Sequence, residues 1–227
     1  MISKAKIKLV RSLEMKKHRQ AEGLFVAEGP KVIEELTKVC PPVEVFEGED
    51  VNKISFLQHP QQVLALFPLD LPKYIRPQSE LKLMLDGVQD PGNLCTIIRI
   101  ADWFGIDHII CSRDTVDAFN PKVVQATMGS IARVKIEYTD LETYLDGLPD
   151  GYPVYGTLLD GDNIYNKVLT REGIIVMGNE GKGISPAIRK KVNQRLLIPS
   201  YPADRPTAES LNVAIATAIV CAEFRRS

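Results

Sequence analysis

From residue 81 onward the chain alternates short apolar strand patterns with helical patterns, joined by connections of a few residues. The strand patterns are "LKLMLDGV" (81–88), "IDHIICS" (106–112), "ARVKIEYT" (132–139), "YPVYGTLL" (152–159), "GIIVMG" (173–178) and "RLLIPS" (195–200). Helical patterns lie between most of them: "LCTIIRIADWF" ending at Gly105, a segment entered by Asn120 and Pro121, one capped by Asp140 and one opened by Ser185 and Pro186. A cap residue followed by proline is a helix start, because the side chain takes an orphan N–H and proline has none to lose. Such alternation cannot be met by hairpins, and it predicts a parallel sheet covered on both faces. Ser210 is expected to start a last helix, "LNVAIATAIVCAEF" (211–224), which is apolar nearly all round and is therefore expected to be buried.

Upstream, the pattern reads as a basic helix to about residue 20, a strand "LFVAEG", a helix from Pro30 and a strand near "QQVLALF", a small α/β unit. Between the two parts, "PLDLPKYIRPQSE" (68–80) has three prolines and little periodicity, the mark of a linker. The domains are accordingly expected at 1–72 and 81–227, and 227 residues with 44% hydrophobic content can bury a core in each.

Charge narrows the function classes only locally. With 28 basic and 29 acidic residues, overall charge gives no argument for a nucleic-acid partner. The first 20 residues differ, with Lys4, Lys6, Lys8, Arg11, Lys16, Lys17 and Arg19 against the single acid Glu14. On a helix this can grip a phosphate backbone or form a solvated basic face. The four cysteines, Cys40, Cys95, Cys111 and Cys221, have no zinc-type spacing and are expected to be reduced and buried. Three scattered histidines support neither a metal cluster nor a Ser-His-Asp triad. No apolar stretch reaches the length of a membrane span and the start lacks a signal-peptide core, so a soluble cytoplasmic protein is expected.

Ligands of open parallel sheets sit beyond the carboxyl ends of the strands. Three loops with unusual chemistry leave such ends: "DGVQDPGN" (86–93), "GNEGKGIS" (178–185) and "PSYPADRPTAESLN" (199–212). The second invites comparison with a phosphate loop. Its spacing disagrees, since Gly178 and Gly181 enclose two residues and Gly183 follows Lys182, where a Walker loop needs four residues, then Gly-Lys and Ser or Thr. Glu180 would also repel phosphate oxygens.

Taken together, "DGVQDPGNLCTIIRIADWFG", "VMGNEGKGIS" and "IPSYPADRPTAESLNVAIA" resemble the three ordered motifs of the SpoU-type (SPOUT superfamily) RNA 2′-O-ribose methyltransferases, over essentially all of residues 81 to 226. The N-terminal part resembles, more loosely, the small RNA-substrate-binding domain that precedes this catalytic domain in many members. The resemblance implies an α/β fold: a parallel-sheet catalytic domain threaded into a trefoil knot, with a small N-terminal α/β substrate-binding domain. It implies S-adenosylmethionine as cofactor, tRNA or rRNA as partner, a homodimer and no metal. Carried over by position, Gly178, Ile198, Pro199 and Leu211 match cofactor-binding positions, and Asn93, Arg99, Glu180, Ser210 and Asn212 match the polar catalytic set. It also turns Lys16, Lys17 and Arg19 into candidate RNA-binding residues.

Two features depart from the family pattern. Cys95-Thr96 stands where Gly-Ala usually follows Asn-Leu, and is expected to tighten the substrate pocket. The third motif carries about four extra residues before Ser210. A non-catalytic RNA-binding protein on the same scaffold and, more remotely, a nucleotide-binding enzyme using "GNEGKG" are the rival classes. The base is left between Glu180, a carboxylate of ordinary basicity, and Arg99, to which the resemblance points.

Overall fold

A computed structural model describes residues 2–71, 80–202 and 208–226. The chain divides into two compact units, one formed by residues 1–75 with 117–133 and the other by 76–116 with 134–227. The 117–133 segment lies inside the stretch expected to be a single C-terminal domain, and it packs with the N-terminal residues instead. Most of the expected linker, 72–79, lies outside the described residues.

In the first unit, β1 (Leu24–Glu28), β2 (Glu44–Glu47) and β3 (Val63–Pro68) form an antiparallel sheet in the order β1-β3-β2. β2 and the helix α4 (Glu49–Ile54) are too short to show a period in the sequence. Val10, Leu13, Val26, Phe46, Ile54 and Leu66 meet in one buried cluster. Proline at the first helical position opens α3 (Pro30–Thr37).

The expected single basic helix is two, α1 (Lys4–Ser12) and α2 (Lys16–Glu22). The reason for the break is Arg19. Its side chain is 2% exposed, and Nη1 donates to the carbonyls of Leu13 at 2.6 Å and Glu14 at 2.7 Å, which lie at the break. Nη2 pairs with Asp117, the first residue of the inserted segment. Arg133, the last residue of that segment, pairs with Glu35. Between these pins, α6 (Pro121–Ala126) packs on β1, and the Phe119 ring meets that of Phe25 in a tilted pair, 4.9 Å between centroids. Arg19 therefore cannot be part of an RNA-binding surface: its guanidinium is spent inside the unit. Lys16 and Lys17 are exposed.

The second unit is the parallel sheet that the alternation predicts. It comprises β4 (Leu81–Asp86), β5 (His108–Cys111), β6 (Lys135–Tyr138), β7 (Val154–Asn163), β8 (Gly173–Gly178) and β9 (Gln194–Leu197), in the order β6-β5-β4-β8-β7-β9 with every pairing parallel. Strand β8 is buried along its whole length, as a central strand covered on both faces must be. On one face, α7 (Leu141–Asp146) and α8 (Pro186–Lys191) bury Leu145 and Ile188 against Met84, Val154 and Val176. Elsewhere in the unit α5 (Pro91–Trp103) packs against α9 (Val213–Phe224).

The cap signals of α6 and α7 are realised, with Asn120 and Asp140 accepting from the N–H of Lys122 and Thr143. Helix α5 starts three residues before the expected Leu94, capped by Asp90 accepting from Asn93 N, and Ser185 stands at the start of α8 without a side-chain cap bond. The last helix differs. Asn212 caps it by accepting from Ala214 N and Ile215 N, so it starts beyond Ser210. Its burial is one-sided as well. Val213, Thr217, Val220 and Phe224 are buried, while Ile215 is 53% exposed, because the chain supplies packing partners along a single stripe. All four cysteines are free and buried, and burial pushes the Cys221 thiol up to about 12.

Candidate active site

Strands β4 and β8 run side by side and end together, with Asp86 opposite Gly178. The first two unusual loops therefore leave the sheet at the same edge, and side-chain bonds join them. Asp86 Oδ2 accepts from Ser185 N at 2.7 Å, which fixes the far end of the glycine-rich loop. Asn179 Nδ2 donates to Gly87 O at 2.7 Å, while its Oδ1 accepts from Gly181 N and Lys182 N at 3.0 Å each. One asparagine thus closes the loop on itself and ties it to the turn after β4.

Gly178 sits where the loop folds back. A Cβ there would lie 2.2 Å from the Gly183 carbonyl carbon and 2.3 Å from Ile184 N. The glycine is required by the loop's own backbone, before any ligand enters.

Glu180 organises the centre. Its Oε1 accepts from Asn93 Nδ2 at 3.0 Å and Asp90 N at 3.2 Å, and its Oε2 from Gln89 N at 3.4 Å. The third motif then joins, with Asn212 Nδ2 donating to Asn93 Oδ1 at 2.9 Å. Asn212 Oδ1 is the cap of α9, so the same side chain starts the last helix and closes the network. Partial burial pushes the Glu180 carboxyl up, but the donors from Asn93 and from the Asp90 and Gln89 backbone outweigh it and hold it below the ordinary value. A carboxylate so occupied orients its neighbours more readily than it takes a proton.

Beside this network lies a cavity of about 580 Å³, walled by the end of β7, the glycine-rich loop and the approach to α9. Leu158, Leu196, Ile198 and Leu211 give it an apolar side, and Gly178 and Ser210 also line it. A few polar groups on an apolar wall is the usual form of a small-molecule site.

Three of the five expected catalytic residues, Asn93, Glu180 and Asn212, are thus joined. Ser210 reaches the cavity but makes none of the network's bonds. Arg99 stands apart from it: six residues at about 100° each carry it roughly 120° round α5 from Asn93. It is exposed, and no described side chain bonds it. Of the expected cofactor positions, Gly178, Ile198 and Leu211 line the cavity and Pro199 does not. Cys95 and Thr96 do not line it either; both turn their polar atoms to the Gly92 carbonyl, at 3.1 and 2.8 Å. Sequence reasoning missed the backbone N–H groups of Gln89 and Asp90, whose role no side chain reports. It also missed residues 157–160 of β7, where the strand pattern in the sequence simply runs out.

An open parallel sheet with its polar network and cavity at one edge, beyond the carboxyl ends of β4 and β8, defines a ligand-binding α/β domain. Residues 80–222 match the SpoU rRNA Methylase family, and residues 4–46 match the MRM3-like substrate binding domain. The chain belongs to the SpoU methylase family. It is 32% identical to the 23S rRNA (guanosine(2553)-2′-O)-methyltransferase RlmP of Bacillus subtilis, over 97% of this chain and 96% of that protein. A solved TrmH-family protein from Porphyromonas gingivalis is 38% identical, with a TM-score of 0.88 over 100% of this chain and 99% of that one. An AdoMet-bound rRNA methyltransferase from Sinorhizobium meliloti is 29% identical, with a TM-score of 0.87 over 100% and 96%.

Proposed function

We propose that this protein methylates a ribose 2′-hydroxyl of rRNA or tRNA with S-adenosylmethionine as donor. The observation that carries this is the Glu180–Asn93–Asn212 network, which bonds together one polar residue from each of three separated motifs, with Glu180 lining the adjoining cavity. The cavity's form fits the cofactor: apolar side chains for a purine, and exposed backbone in the glycine-rich loop for polar contacts. Gly178, Ile198 and Leu211 would hold it. When bound, it supplies an electrophilic methyl group on a sulfonium.

The chain's own residues have separable tasks in this reading. Glu180 fixes Asn93 and the turn carrying Gln89 and Asp90, and Asn93 with Asn212 aligns the acceptor ribose. Arg99, free to meet RNA, holds a backbone phosphate with its planar fork, and the proton-acceptor role that the family resemblance assigns to it requires the guanidinium first to release one of its own protons to solvent. Lys16 and Lys17 belong to the RNA-binding surface of the first unit. Two further elements of the reading rest on the fold. The trefoil threading is supported by β9 lying outside β7 while the chain returns to pack α9 on α5 and β8. The homodimer is supported by uncovered apolar side chains on the packed pair α5 and α9, Trp103 at 85% and Ile215 at 53% exposure.

Single-turnover methyl transfer to purified rRNA and tRNA, with calorimetric cofactor binding alongside, tests the reading. Arg99→Ala is expected to lower the rate by roughly 10²–10⁴-fold, the usual range for a lost proton-transfer group, with cofactor affinity kept. Arg99→Lys should rescue little. A wild-type protein that bound RNA but no cofactor would instead be a binding module.

A further inference from the structure

Strand β7 does not run straight along β9. Thr157 and Asp162 both pair with Leu196, so residues 158–161 are looped out as a wide irregularity. The loop closes tightly. A Cβ on Gly161 would stand 2.5 Å from the Leu196 carbonyl carbon and 2.8 Å from its nitrogen, so glycine alone permits the approach. Irregularities of this kind beside a site re-aim side chains. Here Leu158 is buried, Leu159 is 75% exposed, and Asp160 comes to the cavity wall.

Two further elements hold that carboxylate. Arg189 of α8 donates from Nη2 to Asp160 Oδ2 at 2.5 Å, and Arg195 of β9 donates from Nη1 to the same oxygen at 3.1 Å. Oδ1 has no partner among the described residues. Guanidinium groups carry no acceptor, so Oδ1 is what this cluster offers to a ligand that brings O–H or N–H donors.

The position selects which donors. Asn93, Glu180 and Asn212 gather over the ends of β4 and β8, and the reacting methyl must face them. Asp160 leaves β7, on the other side of β8 from β4. A ligand with its sulfonium at the network reaches that side with its nucleoside part, whose donors nearest the sulfonium are the two neighbouring ribose hydroxyls. We propose that Asp160, pinned by Arg189 and Arg195, is a cofactor-recognition residue that accepts a hydrogen bond from the cofactor's ribose. This rests on the S-adenosylmethionine reading of the cavity and adds a residue that the three motifs do not contain.

The test is calorimetric binding of S-adenosylhomocysteine and its 2′-deoxy and 3′-deoxy ribose analogues to the full chain. Wild type should prefer the intact ribose over at least one analogue by about tenfold, the worth of one well-placed bond to a charged acceptor. Asp160→Asn should weaken S-adenosylhomocysteine by a similar factor and level that preference, with an unchanged melting temperature of the free protein. Arg195→Gln, which leaves the carboxylate in place but removes one pin, should reduce the preference part-way and serves if the first variant does not fold. Glu209→Gln, which alters another carboxylate on the cavity wall, one without a hydrogen-bond partner among the described residues, should change nothing. An undiminished preference in Asp160→Asn, no preference in wild type, or a preference removed by Glu209→Gln instead would overturn the proposal. Failure of the wild type to bind S-adenosylhomocysteine at all would overturn the cofactor reading as well, which separates the two failures.

Discussion

The polar groups buried in the first unit and those gathered at the candidate site of the second are built to opposite specifications. In the first unit Arg19 is buried, and its bonds go to the chain's own break and to Asp117. Glu28, 4% exposed, accepts from Ser55 Oγ, Gln61 N and Phe56 N. Both side chains shape backbone that the short strands leave unpaired. In the second unit, Asn93, Glu180 and Asn212 satisfy one another beside the cavity that Glu180 lines, and much of what they hold faces solvent. Glu180 could be replaced without burying any unpaired charge, so folding alone gives little reason for it. A polar group that the interior needs is evidence about stability; one fixed by several donors where water would have served is evidence about chemistry.

The largest expected effect is on the buried side. Arg19→Ala leaves Asp117 and two carbonyls without their partner, and should cost about 3–5 kcal/mol of the first unit's stability in urea unfolding, the range for breaking a buried pair. Binding of S-adenosylhomocysteine, which belongs to the second unit, should survive. Loss of both together would mean that the units are not separable in this way.

Gly178→Val comes next and crosses the division. Because its Cβ would press on the Gly183–Ile184 backbone rather than on a ligand, the variant should lose about 1–3 kcal/mol of stability in the absence of cofactor, with weakened binding following from the displaced loop. A stable variant with selectively weakened cofactor binding would show that the loop yields and that the glycine serves the ligand alone.

Glu180→Gln sharpens the comparison from the other side. Stability should change little, while the rate should fall by roughly 10-fold to 10²-fold, in line with charge-assisted bonds of about 1.5–3 kcal/mol. The carboxyl's folded pKa lies below the ordinary 4.5, so its contribution is present above that value and is lost as pH falls through the lower, folded one. No acidic limb near neutrality should therefore come from this residue. A limb near pH 6–7 that vanished in Glu180→Gln would promote Glu180 from positioning residue to base.

The smallest effects should come from the exposed lysines. Lys16→Ala and Lys17→Ala should each reduce the slope of log RNA affinity against log salt by about one, with no change in melting temperature. Arg19 lacks that signature, since its substitution acts through folding. An unchanged slope in both lysine variants would move the RNA surface elsewhere on the unit.

The periodic alternation from residue 81 determined the parallel sheet, and the caps at Asn120 and Asp140 determined where two helices start, because both depend on neighbours within a few residues. The spacing of the three motifs, read through resemblance, pointed to Asn93, Glu180 and Asn212. What sequence could not decide was every partnership made across long separations. Arg19 looked like its basic neighbours, and only its pairing with a residue 98 positions away made it structural. The 117–133 segment carries helix signals of its own, yet which unit it joins depends on a hydrophobic face, Phe25 and Phe119 among it, that local pattern does not display. Arg99 and Asn93 shared a motif, and the helical turn between them set them on different faces. Asp160 and Gly161 lie just past the strand pattern at 152–159, and only the close approach to Leu196 and the two arginines from other elements gave them a place. Local propensity acts through the backbone of adjacent residues, whereas burial and charge pairing depend on which distant surfaces the fold brings together.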